Sequence, residues 1–133
     1  MGKLDDLIAR VEAASDRDRS IDADIARMEG WTFTKMKGDR QEYWRKPGST
    51  EYWDRRLDGP PAYTASIDVA LALIERLLPG WDYGLDRDEG QYFATIAPVG
   101  PTTAKGVQAE AKSQPLAIML AALRALASQG GKS

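Results

Sequence analysis

Tyr43, Trp44, Tyr52, Trp53 and Tyr63 fall within one short stretch of the chain, interleaved with Arg45, Lys46, Arg55 and Arg56. Aromatic faces stack on nucleobases, worth about 1–3 kcal/mol per base, and an arginine fork grips a phosphate through paired hydrogen bonds. These residue types together predict a pocket for a small ligand of nucleotide type. Trp44 and Trp53 would stack on it, Arg45 and Arg56 would hold phosphates, Tyr63 and Thr64 would line the edge, and Tyr43 and Lys46 complete the set. The plainer reading of the same stretch is a strand with one core face and solvated cations. Residues 39–58 carry five acids and five bases, so the region offers no net positive surface.

Other candidate chemistry is weaker. Asp86, Asp88 and Glu89 cluster as a hard-metal loop would, but the calcium-loop spacing with its distal glutamate is missing, and Gly90 suits the turn of a hairpin. Asp22 with Asp24, and Asp16 with Asp18, are carboxylate pairs of the kind used in metal-assisted hydrolysis; on a helix, residues two apart do not face each other. Thr102, Thr103 and Lys105 sit in a Gly/Pro/Thr loop that could close over a phosphate, or be an ordinary polar loop. Gly130-Gly131-Lys132-Ser133 resembles the end of a phosphate-binding loop, without the strand before it or the helix after it. No metal and no cofactor is expected.

Composition narrows the classes further. The 133 residues contain neither Cys nor His, so disulfides, thiolate metal sites, histidine proton shuttles and His-dependent nucleophiles are excluded. Catalysis would fall to Asp, Glu, Lys, Tyr or an oxygen-ligated metal. A formal net charge of −2 argues against general binding to nucleic acid or anionic membranes. The start of the chain, MGKLDDLIARVEAA, is cut by charges every few residues, and position 6 is Asp6 where a myristoylation signal needs Ser or Thr. The expectation is a cytoplasmic protein without a signal peptide or membrane span.

The elements that must position these residues follow from periodicity. Leu4, Leu7, Ile8 and Val11 predict an amphipathic helix over about 3–14. Ser20 is expected to cap a second short helix that turns Ile21, Ile25 and Met28 inward and ends at Gly30. Alternation over 31–36 predicts a strand, 37–40 a turn and 41–46 its return strand, followed by a long irregular connection over 47–61. Ser66 should cap a helix from Ile67 to about Leu78, stopped by Pro79-Gly80. Strands over 81–86 and 91–97 flank a turn at 87–90, a weak fifth strand is expected at 106–112, and Ser113 with Pro115 opens a last helix to about Ala127.

The order is α-α-β-β-α-β-β-(β)-α. It predicts the α+β class, as a three-layer α/β/α sandwich around a central, mainly antiparallel sheet. One domain is expected over 1–133, ordered over about 4–128, with a disordered tail at 129–133. The apolar faces of the last two helices exceed what a small sheet needs, which points to a homo-oligomer.

Several blocks carry a resemblance. They are Asp6-Leu7-Ile8-Ala9-Arg10-Val11-Glu12-Ala13-Ala14, Tyr43-Trp44-Arg45, the run Pro61-Ala62-Tyr63-Thr64-Ala65-Ser66-Ile67-Asp68-Val69-Ala70-Leu71-Ala72-Leu73 with Pro79-Gly80-Trp81, and Ala109-Glu110-Ala111-Lys112-Ser113-Gln114-Pro115-Leu116-Ala117-Ile118. Over roughly 4–127 the chain resembles the small phage and prophage proteins of the phage ABA sandwich domain family. It departs at Ser113-Gln114-Pro115, where family members tend to have Thr-Pro. The resemblance implies the sandwich fold, a phage origin and expression in the host bacterial cytoplasm, and it implies no catalytic activity. With the aromatic and arginine-rich stretch, it suggests a non-enzymatic anti-defence protein that sequesters a nucleotide-derived host immune messenger. A protein–protein inhibitor or structural accessory factor is the alternative, since Trp, Tyr and Arg also dominate protein interfaces. A metal-dependent nucleotide hydrolase is a further one.

Overall fold

In a computed structural model, the structure describes residues 3–35, 42–45, 52–54, 61–99 and 106–130. Helix α1 spans Lys3–Ala13 and α2 spans Arg19–Met28. Strands β1 (Thr32–Lys35), β2 (Glu42–Arg45) and β3 (Tyr52–Asp54) follow, then α3 (Ile67–Leu77), β4 (Trp81–Asp88), β5 (Gln91–Pro98), β6 (Val107–Ala111) and α4 (Gln114–Gly130). The α+β class and the antiparallel pairing are as expected. The described strands, however, form two three-stranded sheets, β1-β2-β3 and β4-β5-β6, rather than one central sheet.

Local chemistry explains most boundaries and corrects some. The cap of α2 is Asp18, not Ser20: its Oδ1 accepts from the amides of Ser20 and Ile21 at 2.9 and 3.1 Å, and from the Ser20 hydroxyl. Those bonds hold the Asp18 carboxyl below its usual range, the Ser20 hydroxyl bond foremost. Moving the cap two residues upstream still buries Ile21 and Ile25 but leaves Met28 exposed. Glu29 caps the far end and Gly30 turns away at φ 96, as expected of Gly30. Ser66 caps α3 through the Val69 amide. The turn after β4 is only Glu89-Gly90, with φ of 48 and 79, so β4 runs on to Asp88. Helix α4 continues to Gly130, past its expected end near Ala127. The connection expected over 47–61 contains β3, too short to betray itself by alternation.

Helix α4 is the centre of the described core. Every residue from Pro115 to Leu123 is buried, and the helix packs on β5, β6, α1 and α3. Its alanines, among them Ala117, Ala121 and Ala122, let neighbours approach on several sides. The apolar surface of α4 is therefore consumed within the chain, which removes it as a reason to expect a homo-oligomer. One face of the second sheet, carrying Ala94, Ile96 and Ala109, meets this core. On the opposite face Asp82, Gly84, Asp86, Thr95, Gln108 and Glu110 are exposed, so no described helix covers it as the expected layering would.

Because Leu116 lies fully buried at the start of this hub, Leu116→Ala is expected to destabilise the protein by about 2–5 kcal/mol. A urea denaturation midpoint within error of the parent would contradict the hub assignment.

Candidate functional site

The aromatic segment lies in the first sheet, and its register sorts the expected site residues. Phe33, Trp44 and Trp53 are cross-strand partners in one row. Thr32, Arg45 and Tyr52 form the row on one side of it, and Thr34, Tyr43 and Asp54 the row on the other. Successive residues of a pleated strand belong to opposite faces. Trp44 and Trp53, each expected to stack on a ligand, are register partners in the backbone. Tyr43 and Arg45 occupy the register positions on either side of Trp44. Lys46, Arg55 and Arg56 lie outside the described residues.

Tyr63 and Thr64 are not at the edge of a pocket. Both are buried, at 0% and 1% exposure, with their polar groups engaged inside the fold. The Tyr63 hydroxyl donates to Glu29 Oε1. Burial first, and this bond second, push the phenol far above its usual pKa, so it remains a donor. Glu29, itself nearly buried, also accepts two bonds from the Arg76 guanidinium, at 2.8 and 2.9 Å. The Thr64 amide donates to Asp22 Oδ1 at 2.8 Å, and the Thr64 hydroxyl accepts from the Asp18 amide at 2.8 Å. These contacts fasten the 61–66 turn to both ends of α2 and to α3. A Tyr-Thr pair in a Pro-flanked loop looks available to a ligand; in the fold its polar atoms satisfy buried acids.

The carboxylate pairs are explained in the same way. Asp22 is buried on Thr64, while Asp24 accepts from Arg10 at 2.5 Å and from Arg27 at 3.0 Å. Asp18 is a cap and Asp16 accepts from the Arg17 amide. Among the described residues no three acidic side chains converge as a metal site. Thr102, Thr103 and Lys105 lie outside the described residues, as do Gly131, Lys132 and Ser133, while Gly130 is the last residue of α4.

Sequence reasoning missed a groove of about 540 Å³ along the outer edge of β6. Phe93, Gln108 and Glu110 line it from the sheet, Lys112 from just past the end of β6, and Glu12 and Arg124 from the helices. Arg124 pairs with Glu12 at 2.6 Å and reaches the Gln108 carbonyl at 3.5 Å. The weak alternation of 106–112 signalled the strand, but only the sheet order reveals that β6 is an edge among the described strands.

No protein family, curated protein or solved structure matches the chain. The resemblance to the phage ABA sandwich family rests on the quoted residues alone. No helix among the described residues is long and apolar enough to cross a membrane.

Asp22 yields a pH test. Burial raises its carboxyl above the usual 3.8, against the opposing pull of its bonds from Thr64. A carboxyl raised in the folded state favours folding while protonated, and that contribution is lost as pH climbs through the folded value. Asp22→Asn keeps an acceptor for Thr64 and has no charge to bury. Its stability relative to the parent should rise with pH from below 3.8 toward neutrality and then level off. Asp22→Ala should lose about 1–3 kcal/mol. Chemical denaturation across pH reads both, and a flat Asn-minus-Asp difference would refute the burial account.

Proposed function

We propose that this protein is a non-catalytic binding protein for a small ligand that combines aromatic rings with phosphate groups. The narrower form of this reading is a phage-encoded protein acting in the bacterial cytoplasm, which sequesters a nucleotide-derived host immune messenger. The supporting observation is the register of β1-β2-β3, which sets Arg45 opposite Tyr52 and Trp44 opposite Trp53 and so gathers an arginine and several aromatic residues in one small sheet. Sequestration asks for tight binding without turnover, which fits a chain lacking His and Cys.

The test is to expose purified protein to small-molecule extract of infected, defence-competent cells, wash it, denature it and identify what is released by mass spectrometry. An intact nucleotide should appear, and Arg45→Ala or Tyr52→Ala should lower its recovery by about tenfold or more. Tyr63→Phe should leave recovery unchanged while losing about 1.5–3 kcal/mol of stability, because its hydroxyl serves Glu29. An empty protein from every extract would turn the reading toward a host protein as the partner. A hydrolysed nucleotide that accumulates only with Mg²⁺ would turn it toward an enzyme.

A further inference from the structure

The two edges of the second sheet are not equivalent. Glu89-Gly90 is a two-residue turn with both φ positive, so Asp88 and Gln91 exchange backbone hydrogen bonds. Counting back by twos, Asp86, Gly84 and Asp82 also direct their backbone groups at β5, while Tyr83, Leu85 and Arg87 direct theirs outward. Two of those outward amides are already taken: Tyr83 donates to Asp82 Oδ1 and Arg87 to Asp86 Oδ1, each at 2.8 Å. Carboxylates folded back on the edge in this way block strand addition.

Carrying the alternation through β5, Ala94 and Ile96 direct their groups at Ala109 and Val107, which leaves Gln108 and Glu110 pointing out of β6. The Arg124 guanidinium at the Gln108 carbonyl agrees with this. The outward amides of Gln108 and Glu110 have no hydrogen-bond partner among the described residues, and the groove runs along them. Glu12 and Glu110 balance Lys112 and Arg124 in its lining, so it offers no net charge to a polyanion. What it offers is a row of main-chain donors and acceptors beside the ring of Phe93.

We propose that the β6 edge binds an extended peptide of another protein by strand addition, the peptide backbone pairing with Gln108 and Glu110 and an apolar side chain resting on Phe93. A neutral main chain matches the balanced lining. Arg124 swings from the Gln108 carbonyl as the peptide takes its place. This site is separate from the β1-β2-β3 face and stands or falls without it.

The test selects binders to the full chain from a displayed library of random short peptides. Each binder is then resynthesised with single backbone N-methyl groups. Methylation should weaken binding by about tenfold or more at alternate positions only, and bound peptide should slow hydrogen exchange of the Gln108 and Glu110 amides. Glu110→Pro removes one outward donor without touching the β5 ladder and should weaken binding to a similar degree; the methyl scan on the parent protein decides if that variant fails to fold. Failure to select any peptide would overturn the proposal. So would binders indifferent to backbone methylation, protection confined to other amides, or sedimentation showing the β6 edge closed by a second copy of the chain.

Discussion

The burial of α4 on all sides is the constraint on which the rest of the described structure depends. A helix apolar around its circumference has no stable position at a surface, so other elements must assemble around it. Here β5 and β6 take one side, and α1 and α3 take others. Small residues make this possible: where Ala117, Ala121, Ala122 and Ala125 face a neighbour, backbone can come close, while Leu116, Ile118, Met119, Leu120 and Leu123 fill the space between. Among the described residues, polar groups reach α4 at its start and at Arg124. Ser113 bonds the Leu116 amide at one end, and Arg124 leaves the core to pair with Glu12 of α1 toward the other.

Apolar packing of this kind is not directional, and two partly buried polar clusters supply the direction it lacks. Tyr63, Glu29 and Arg76 join the end of α2 to the 61–66 turn and α3, while Asp18, Asp22 and Thr64 join the start of α2 to the same turn. A buried acid stripped of its partner is expensive, so α2 cannot slide along the core without leaving Asp22 or Glu29 unsatisfied. The clusters fix an alignment that the apolar residues of α2 would tolerate in more than one form.

The sequence makes the helices and the second hairpin legible because those signals are local. Apolar spacing marks α1 and α3, Ser66 and Gly80 punctuate α3, and Gly90 marks its turn. What it hides depends on distance. Whether Asp18 or Ser20 caps α2 is decided partly by Thr64, forty-six residues away, which receives the Asp18 amide. Tyr63 and Thr64 look like ligand contacts until their buried partners on α2 are known. The strand β3 is too short for a pattern, and the division into two sheets is a matter of pairing that no single strand records.

The same limit governs both proposed surfaces. Adjacency in sequence groups Trp44 with Arg45, while the strand register sets Trp44 opposite Trp53 and Arg45 opposite Tyr52, partners that only the pairing of strands reveals. Edges obey the same parity one level down: in β4 two of the three residues whose amides point outward, Tyr83 and Arg87, follow acids that fold back on them, and in β6 Gln108 and Glu110 do not. A shift of one residue in either register would exchange the two faces of the first sheet, or turn the open amides of β6 inward. Both proposed surfaces are therefore set by strand register before side chains, and the buried α4, against which β5 and β6 are packed, backs the second sheet.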